Sequence, residues 1–376
     1  MHYQYNSQQL RALLTLHRTP HLSTRALCRL LKASDTPEAI ASLSAAELFA
    51  LKITPDTQLA LRRGCDQRLI DQDIATIEKL DIQLLSLNSE HYPELLKQIS
   101  NPPPLLYVRG NVDLLNQPQL GMVGSRRTSR QGCENAFQFS REFARAGFTI
   151  NSGLALGVDT ECHRGALAAE GKTVAVLGTG VDITYPVRNR SLFNDIVNTD
   201  NGALISEFPL GTQALPELFP QRNRIISGMS LGVLVVEAAL KSGSLITARF
   251  AMEQGREVFA IPGSIHDSGS KGVNYLIQQG AKLVSTAADV MEELQGWLPA
   301  RTSKETTPDN VELLSDLTQT EQQLVALLGF DPVAIDLLQH QIGWPLTQLS
   351  EVLTTLELKG WVENNAGCYQ RMVKAR

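Results

Sequence analysis

The chain has 376 residues, of which 43% are hydrophobic, and a formal net charge of −5. This length predicts two or three globular domains of ~150 residues each. The acidic balance argues against a uniformly basic coat of the kind that binds duplex DNA or an anionic membrane. The cysteines are odd in number, scattered and without a CxxC pair, so we expect reduced thiols and no metal site.

The N-terminal residues and the apolar runs bear on targeting and on contact with membranes. The first residues, MHYQYNSQQLRALL, contain no basic segment followed by an apolar core, and no apolar run approaches the length of a membrane span. We therefore expect a cytoplasmic protein that does not contact a membrane.

Residues 8 to about 75 contain short apolar blocks with helical spacing. Ser23, Thr36, Ser44 and Thr54 stand where N-caps are expected, and proline follows two of them. The pattern predicts a small helical domain over residues 1–78, of sterile-alpha-motif or helix-hairpin-helix type. Because basic and acidic residues nearly balance here, a packing or assembly role is favoured over contact with DNA.

Apolar runs alternate with helical segments as far as residue 296. We predict helices at 129–147, 158–170 and 244–255, and strands at 119–124, 148–152, 173–177, 202–206, 232–236, 257–261 and 282–284. Runs such as VAVLG and GVLVVEA are typical of parallel strands that are buried on both faces. Residues 79–296 are therefore expected to form a doubly wound, Rossmann-like α/β domain.

The C-terminal part of the chain begins with a polar stretch without periodicity, which predicts a linker over residues 297–311. Three helical segments and a hairpin follow over 312–376, the order of a winged helix. This segment has eight acidic residues against four basic ones. We therefore do not expect it to be the main nucleic-acid surface, because phosphate contacts need cations.

The first strand-to-helix turn of the α/β domain, GSRRTSRQG, is rich in cations and hydroxyl groups. It matches neither a GxxxxGK phosphate loop nor a GxGxxG fingerprint, so we expect no nucleotide cofactor. Gly124 allows close approach of a ligand, Ser125 and Ser129 offer hydroxyl groups, and Arg126 and Arg127 offer guanidinium groups for phosphate. The alternative is a solvated charge cluster, but the position at a strand end favours a binding site.

Two more turns of this kind occur, NSGLALGVD and KSGSLITA. Asp159 in the first is expected to cap the helix that follows. Helix starts carry unpaired N–H groups that attract anions. The predicted site therefore also includes Ser152, Gly153, Ser242, Gly243 and Ser244.

The segment DITYPVRNRSLF combines the cations of Arg188 and Arg190 with the ring of Phe193. Proteins hold single-stranded nucleic acid with cations on phosphates and aromatic rings against bases. A place for Phe193 in the hydrophobic core fits the sequence equally well.

A structural role is expected for the polar residues near the predicted strand at 232–236. Arg222, Asn223 and Arg224 precede a buried run, so we expect the arginines to pair with Glu207 or Glu237 and to shape the site.

A series of motifs in one order, GSR, SGLALGVD, AVLGTGVDITYP, ISEFPLG, FPQRNRIISG and VVEAALKSGSLITA, resembles the DNA-processing protein A (DprA/Smf) family. The resemblance implies an extended Rossmann domain that binds single-stranded DNA without sequence preference. It further implies a non-enzymatic homodimer that protects DNA taken up in natural transformation and loads the RecA recombinase. Gly124, Ser125 and Arg126, with Arg190 and Phe193, would then be DNA contacts.

Two other classes of function remain open at this point. The sheet type is similar to that of nucleoside monophosphate phosphoribohydrolases, but their PGGxGTxxE stretch is replaced here by LKSGSLITARFA. The carboxylate that would assist glycosidic cleavage is therefore missing from that place. A sensor of sugars or nucleotides that does not bind DNA is the third possibility.

Overall fold

The computed structural model describes residues 5–34, 36–297, 317–328, 333–365 and 367–372. The chain forms two compact units, Met1–Pro299 and Ala300–Arg376. The predicted linker over 297–311 lies, except for Trp297, outside the described residues. No helix in these described ranges has both the length and the apolar character needed to cross a membrane.

The N-terminal region is helical, as predicted. Its elements are α1 (Ser7–Arg18), α2 (Thr24–Ala33), a 3-10 helix (Glu38–Ser42), α3 (Ala45–Ala50), α4 (Pro55–Arg63) and α5 (Gln67–Leu80). The hydroxyl groups of Ser23, Ser44 and Thr54 accept backbone hydrogen bonds as N-caps. Thr36 instead precedes the 3-10 helix and accepts from the Ala39 N–H at 3.4 Å.

These helices share one hydrophobic core with the α/β sheet. Leu13 and Leu30 lie in the same buried cluster as Ala175 and Leu204 of the sheet. The N-terminal helices and the sheet accordingly belong to a single compact unit. The boundary between residues 78 and 79 stays a proposal about the organisation of the sequence.

A nine-stranded sheet forms the centre of this unit. Its strands are β1 (Ile82–Ser86), β2 (Leu105–Gly110), β3 (Gln119–Val123), β4 (Thr149–Ser152), β5 (Thr173–Val176), β6 (Gly202–Ser206), β7 (Gly232–Val235), β8 (Glu257–Ala260) and β9 (Lys282–Leu283). The order across the sheet is β1-β2-β6-β5-β4-β3-β7-β8-β9. The β1–β2 and β2–β6 pairs are antiparallel. All other neighbouring strands in this order, from β6 across to β9, pair in parallel. The predicted doubly wound fold is confirmed.

Helices cover both faces of the sheet. They are α6 (Glu94–Lys97), α7 (Arg130–Ala146), α8 (Val158–Ala168), α9 (Arg190–Val197), α10 (Leu218–Met229), α11 (Ser244–Glu253), α12 (Lys271–Gln278) and α13 (Ala287–Glu293), with 3-10 turns at Val112–Asn116, Val187–Asn189 and Gln295–Trp297. Side chains of a strand alternate between faces. Val233 and Val235 therefore join one core cluster, while Leu234 joins another on the opposite face.

The second unit has the elements of a winged helix. They are α14 (Gln319–Leu327), β10 (Val333–Ala334), α15 (Ile335–Ile342), α16 (Leu346–Leu358), β11 (Val362–Asn365) and β12 (Cys368–Arg371). The strands form an antiparallel sheet in the order β10-β12-β11. Leu324, Leu338 and Leu353 are fully buried in its core. The predicted three helices and hairpin are confirmed, and the short β10 was missed.

Candidate functional site

A cavity of about 560 Å³ opens where the strand order reverses, between the carboxyl ends of β3 and β7. In open α/β sheets this reversal leaves a crevice in which ligands bind. The predicted site residues that line the cavity are Gly124, Ser125, Arg126, Arg127, Asp159, Arg222, Asn223, Ser242, Gly243 and Ser244.

The loop after β3 forms one wall of this cavity. The backbone fixes the loop, since the Ser125 N–H donates to the Glu237 carbonyl at 2.8 Å and the Ser125 carbonyl accepts from the Val158 N–H at 3.2 Å. The side chains of Arg126 and Arg127 are exposed. Among the described residues neither forms a salt bridge. Two cations without a salt-bridge partner therefore lie at this wall, where they can bind an anion.

The opposite wall is the start of α11. Gly243 is the N-cap and offers no side-chain acceptor to the first N–H groups of the helix. The hydroxyl groups of Ser242 and Ser244 lie 2.7 Å apart beside them. Lys241, which was not among the predicted contacts, is exposed at the rim. The first N–H groups of the helix are already bonded, since those of Ser244, Leu245 and Ile246 donate to the Ser242 Oγ, the Ser242 carbonyl and the Gly243 carbonyl. This wall therefore combines the positive end of a helix dipole with a cation, an arrangement that favours phosphate.

Arg222 forms the floor of the cavity and is buried. Its guanidinium donates to the carbonyl of Gly153 at 2.7 Å and to that of Val176, and its Nε donates to the Asn223 Oδ1 at 3.2 Å. Burial lowers the pKa of Arg222 to about 10, while the nearby Asp159 carboxyl opposes that shift. The guanidinium thus keeps its charge at neutral pH and makes the floor positive.

Among the described residues, the acidic side chain that lines the cavity is that of Asp159. Burial raises the pKa of its carboxyl, and the Arg222 charge opposes this shift. Its Oδ2 accepts from the Ala155 N–H at 3.3 Å, so it fixes the loop before α8. The N-cap of α8 is Gly157, which corrects the predicted capping role of Asp159.

Comparison with known proteins identifies the family. The profile described as DNA recombination-mediator protein A matches residues 83–295, and that of the DprA winged helix domain matches residues 307–367. The chain belongs to the DNA recombination-mediator protein A family. Protein Smf of Escherichia coli (strain K12) is 41% identical to it over 313 residues, or 82% of each chain.

Two solved structures of DNA processing protein A are similar. The X-ray structure from Streptococcus pneumoniae has a TM-score of 0.66 at 36% identity and covers 77% of this chain and 99% of its own. The structure from Helicobacter pylori, which concerns the single-stranded DNA binding mode of that protein, has a TM-score of 0.53 at 28% identity. It covers 58% of this chain and 98% of its own.

Three of the predicted contacts in this family member have structural roles instead. The Ser129 hydroxyl donates to Glu237 Oε2 at 2.5 Å and accepts from the Gly132 N–H at 2.9 Å, so it caps α7. The Ser152 hydroxyl is fully buried and donates to the Met122 carbonyl at 2.6 Å. Gly153 provides space, because a Cβ there would lie 2.5 Å from the Arg222 Nη2. None of them offers a free group to a ligand.

The expected pairing of the arginines is confirmed for Arg224. Its Nη2 lies 2.5 Å from Glu207 Oε2, and both side chains are nearly buried. Burial raises the pKa of Glu207, while Arg224 opposes that shift. Glu237 instead binds the start of α7, where its carboxylate oxygens accept from the Ser129 N–H at 3.1 Å.

The predicted base contact of Phe193 is wrong in this structure. Its ring is 2% exposed and belongs to the core between α9 and the sheet. Arg188 and Arg190 are exposed, but they do not line the cavity. The aromatic residues near the cavity are Phe219, which lines it, and Tyr185, whose ring packs on Phe219. Both residues belong to motifs of the family resemblance, AVLGTGVDITYP and FPQRNRIISG, but the sequence did not predict that their rings are in contact.

Proposed function

We propose that this chain binds single-stranded DNA without sequence preference and that the phosphates enter the cavity between β3 and β7. One observation carries the proposal: Arg126, Arg127 and Lys241 gather around a positive floor in a chain whose net charge is −5. A local patch of this kind attracts phosphates, whereas the acidic surface elsewhere repels them.

The similarity to the Helicobacter pylori protein supports the choice of ligand, because that structure concerns how the protein binds single-stranded DNA. Arg188 and Arg190 are exposed cations that extend the proposed surface beyond the cavity. Gly124 lines the cavity and lets the backbone approach a phosphate.

The cellular role that we propose is recombination mediation by a cytoplasmic homodimer. The protein would protect single-stranded DNA during natural transformation and load the RecA recombinase onto it. Membership of the recombination-mediator family supports this role. It is tested by adding the protein to RecA on single-stranded DNA and measuring whether RecA assembles faster.

The proposed dimer has a candidate surface on α11 and α12. Met252 and Tyr275 are exposed on these helices, Leu240 is exposed in the loop before α11, and all three line a cavity of about 530 Å³. Exposed apolar patches are typical of protein interfaces. A Met252→Lys variant should lower the molar mass measured by light scattering if two copies meet there. An unchanged mass would move the dimer interface elsewhere.

The central test is a mobility-shift assay with single-stranded and duplex oligonucleotides of equal length at two salt concentrations. We expect stronger retardation of the single strand and a steep loss of binding with salt. Equal binding of both forms would contradict the proposal.

We propose that the protein is not an enzyme. In the phosphoribohydrolase alternative, the carboxyl group that could assist cleavage is that of Asp159, because it lines the cavity and burial raises its pKa. That carboxyl already accepts a hydrogen bond from the loop before α8. Release of free base from nucleoside monophosphates, abolished by Asp159→Asn, would favour the enzyme instead.

A further inference from the structure

Two aromatic rings and one cation pack together beside the cavity, which Arg126 and Phe219 line and Tyr185 reaches through its contact with Phe219. The ring centroids of Tyr185 and Phe219 are 5.6 Å apart, with an angle of 40° between the planes. The Arg126 Cζ lies 5.3 Å from the centroid of Phe219. We name these three side chains the aromatic rim. Arg126 thereby belongs both to the phosphate cavity and to the rim.

Phe219 is the fixed part of the rim. It lies in the first turn of α10, and its ring packs against Gly178, where a Cβ would lie 2.7 Å from the Phe219 Cδ1. The ring therefore rests directly on the backbone just after β5. Because Arg126 lies over the ring and Tyr185 packs beside it, Phe219 supports the other two side chains.

Tyr185 is the open part of the rim. Its side chain is 42% exposed. Among the described residues its hydroxyl group forms no hydrogen bond, so its polar end does not anchor it. A single exposed ring is ordinary at a protein surface. This ring differs because it packs on Phe219, and the Arg126 guanidinium that lines the cavity lies over that same Phe219 ring.

We propose that Tyr185 is the base-stacking residue of this protein and that it takes a nucleobase of the bound strand while Arg126 holds the adjacent phosphate. This inference deepens the proposed function and rests on it. A nucleotide presents a flat ring and an anion within one unit, and the rim and the cavity present a ring and cations side by side. A nucleotide can therefore stack its base on the ring and place its phosphate against the cations at the same time.

The subsite also accounts for two properties of the proposed binding. Every base has a π-face, so stacking on Tyr185 does not depend on sequence. In a duplex the bases are already stacked within the helix. The rim would therefore contribute to binding of single strands only, whereas the cations attract the phosphates of both forms.

The test uses the full-length protein and a labelled oligothymidylate, with affinity measured by fluorescence anisotropy at two salt concentrations. Loss of one base stack weakens binding about 5- to 150-fold. We expect this loss for Tyr185→Ala with an unchanged salt slope, and near wild-type affinity for Tyr185→Phe. Phe49→Ala is the matched control, because Phe49 is also exposed and lies in α3, outside the cavity.

An abasic strand of the same length provides a second arm. It keeps the phosphates and lacks the bases, so Tyr185→Ala should bind it as well as the wild type does. In a Tyr185→Trp variant the added tryptophan should be quenched by oligothymidylate beyond the quenching seen in the wild type, and not by the abasic strand.

The outcomes separate the two proposals. If Tyr185→Ala binds oligothymidylate like the wild type while Arg126→Ala binds it more weakly, the stacking subsite is refuted and the DNA-binding function stands. If the wild type itself does not bind, both are refuted. Should Tyr185→Ala fail to fold, equal quenching of Tyr185→Trp by both strands would overturn the subsite.

Discussion

Two sets of side chains surround the same edge of the sheet in opposite environments. Arg126 and Arg190 are exposed and, within the described residues, form no salt bridge. Arg222, Arg224 and Phe193 lie inside, where they meet carbonyls, a carboxylate and the core. The outer set is available to a ligand, and the inner set supports the fold. Residue type alone does not separate the two sets. Their surroundings do.

The largest effect expected from this comparison is on folding. Phe193→Ala should lower the free energy of unfolding by about 3–5 kcal/mol, because it removes a buried aromatic ring. The affinity of the folded protein for single-stranded DNA should stay near that of the wild type. Urea unfolding followed by circular dichroism measures the first quantity. Unchanged stability with lost affinity would return Phe193 to the outer set.

Acid should also destabilise the fold, through two buried histidines. Burial lowers the pKa of His163 to about 3 and that of His17 to about 4. The folded state therefore binds fewer protons than the unfolded state, and stability is lost as the pH falls below the unfolded value. Each histidine should contribute a loss of about 2 kcal/mol between about pH 7 and pH 5. Urea unfolding across this range measures it, and His163→Asn should flatten the dependence.

On the outer set, the largest effect is expected for Arg126. Arg126→Ala should weaken binding of single-stranded DNA by about 1.5–3 kcal/mol, because a charged hydrogen-bond donor is lost. Arg68→Ala is the matched control, since Arg68 is exposed on α5. Anisotropy titrations measure both variants. Equal affinity in the two, with the fold intact, would remove Arg126 from the site.

A smaller effect is expected for Arg190, which is exposed outside the cavity lining. Arg190→Ala should reduce the slope of log affinity against log salt by about 0.7, the share of one phosphate contact on a single strand. Titrations at several salt concentrations give this slope. A slope identical to that of the wild type would show that Arg190 makes no phosphate contact.

The smallest effect is expected on removing the winged helix. Its helix α16 carries Glu351 and Glu357, and Lys359 is 2.7 Å from the Glu321 carboxylate. A chain that ends at Thr306 should therefore keep most of its affinity for single-stranded DNA at equal salt. If most of the affinity is lost while the proposed dimer persists, the main site lies in the C-terminal unit.

Local patterns predicted most of the fold. The ends of strands β3 to β9 lie within one residue of expectation, because each apolar run stops at a glycine or polar turn. The turns that form the cavity walls were each predicted by the same rule, as strand-to-helix turns that suit an anion. Only the resemblance to the family implied that they border one pocket, and Arg126 and Ser242 both line the cavity.

What escaped prediction depends on contacts between distant residues. Ser129 and Glu237 are 108 residues apart in sequence, so the hydroxyl that seemed free is bound to a carboxylate. Phe193 is covered by a core that includes the N-terminal helices. The rings of Tyr185 and Phe219 meet only because α10 returns to the end of β5. No local spacing carries that information.

The core shared by the N-terminal helices and the sheet has a consequence for synthesis. The Arg18 Nη2 donates to the carbonyl of Leu210 at 2.9 Å, across a sequence separation of 192 residues. During synthesis, the apolar face of α1 therefore stays uncovered until most of the sheet has left the ribosome. Such long-range closure is slow and leaves apolar surface open meanwhile. A shortened protein that begins after α5 would leave the matching face of the sheet uncovered permanently.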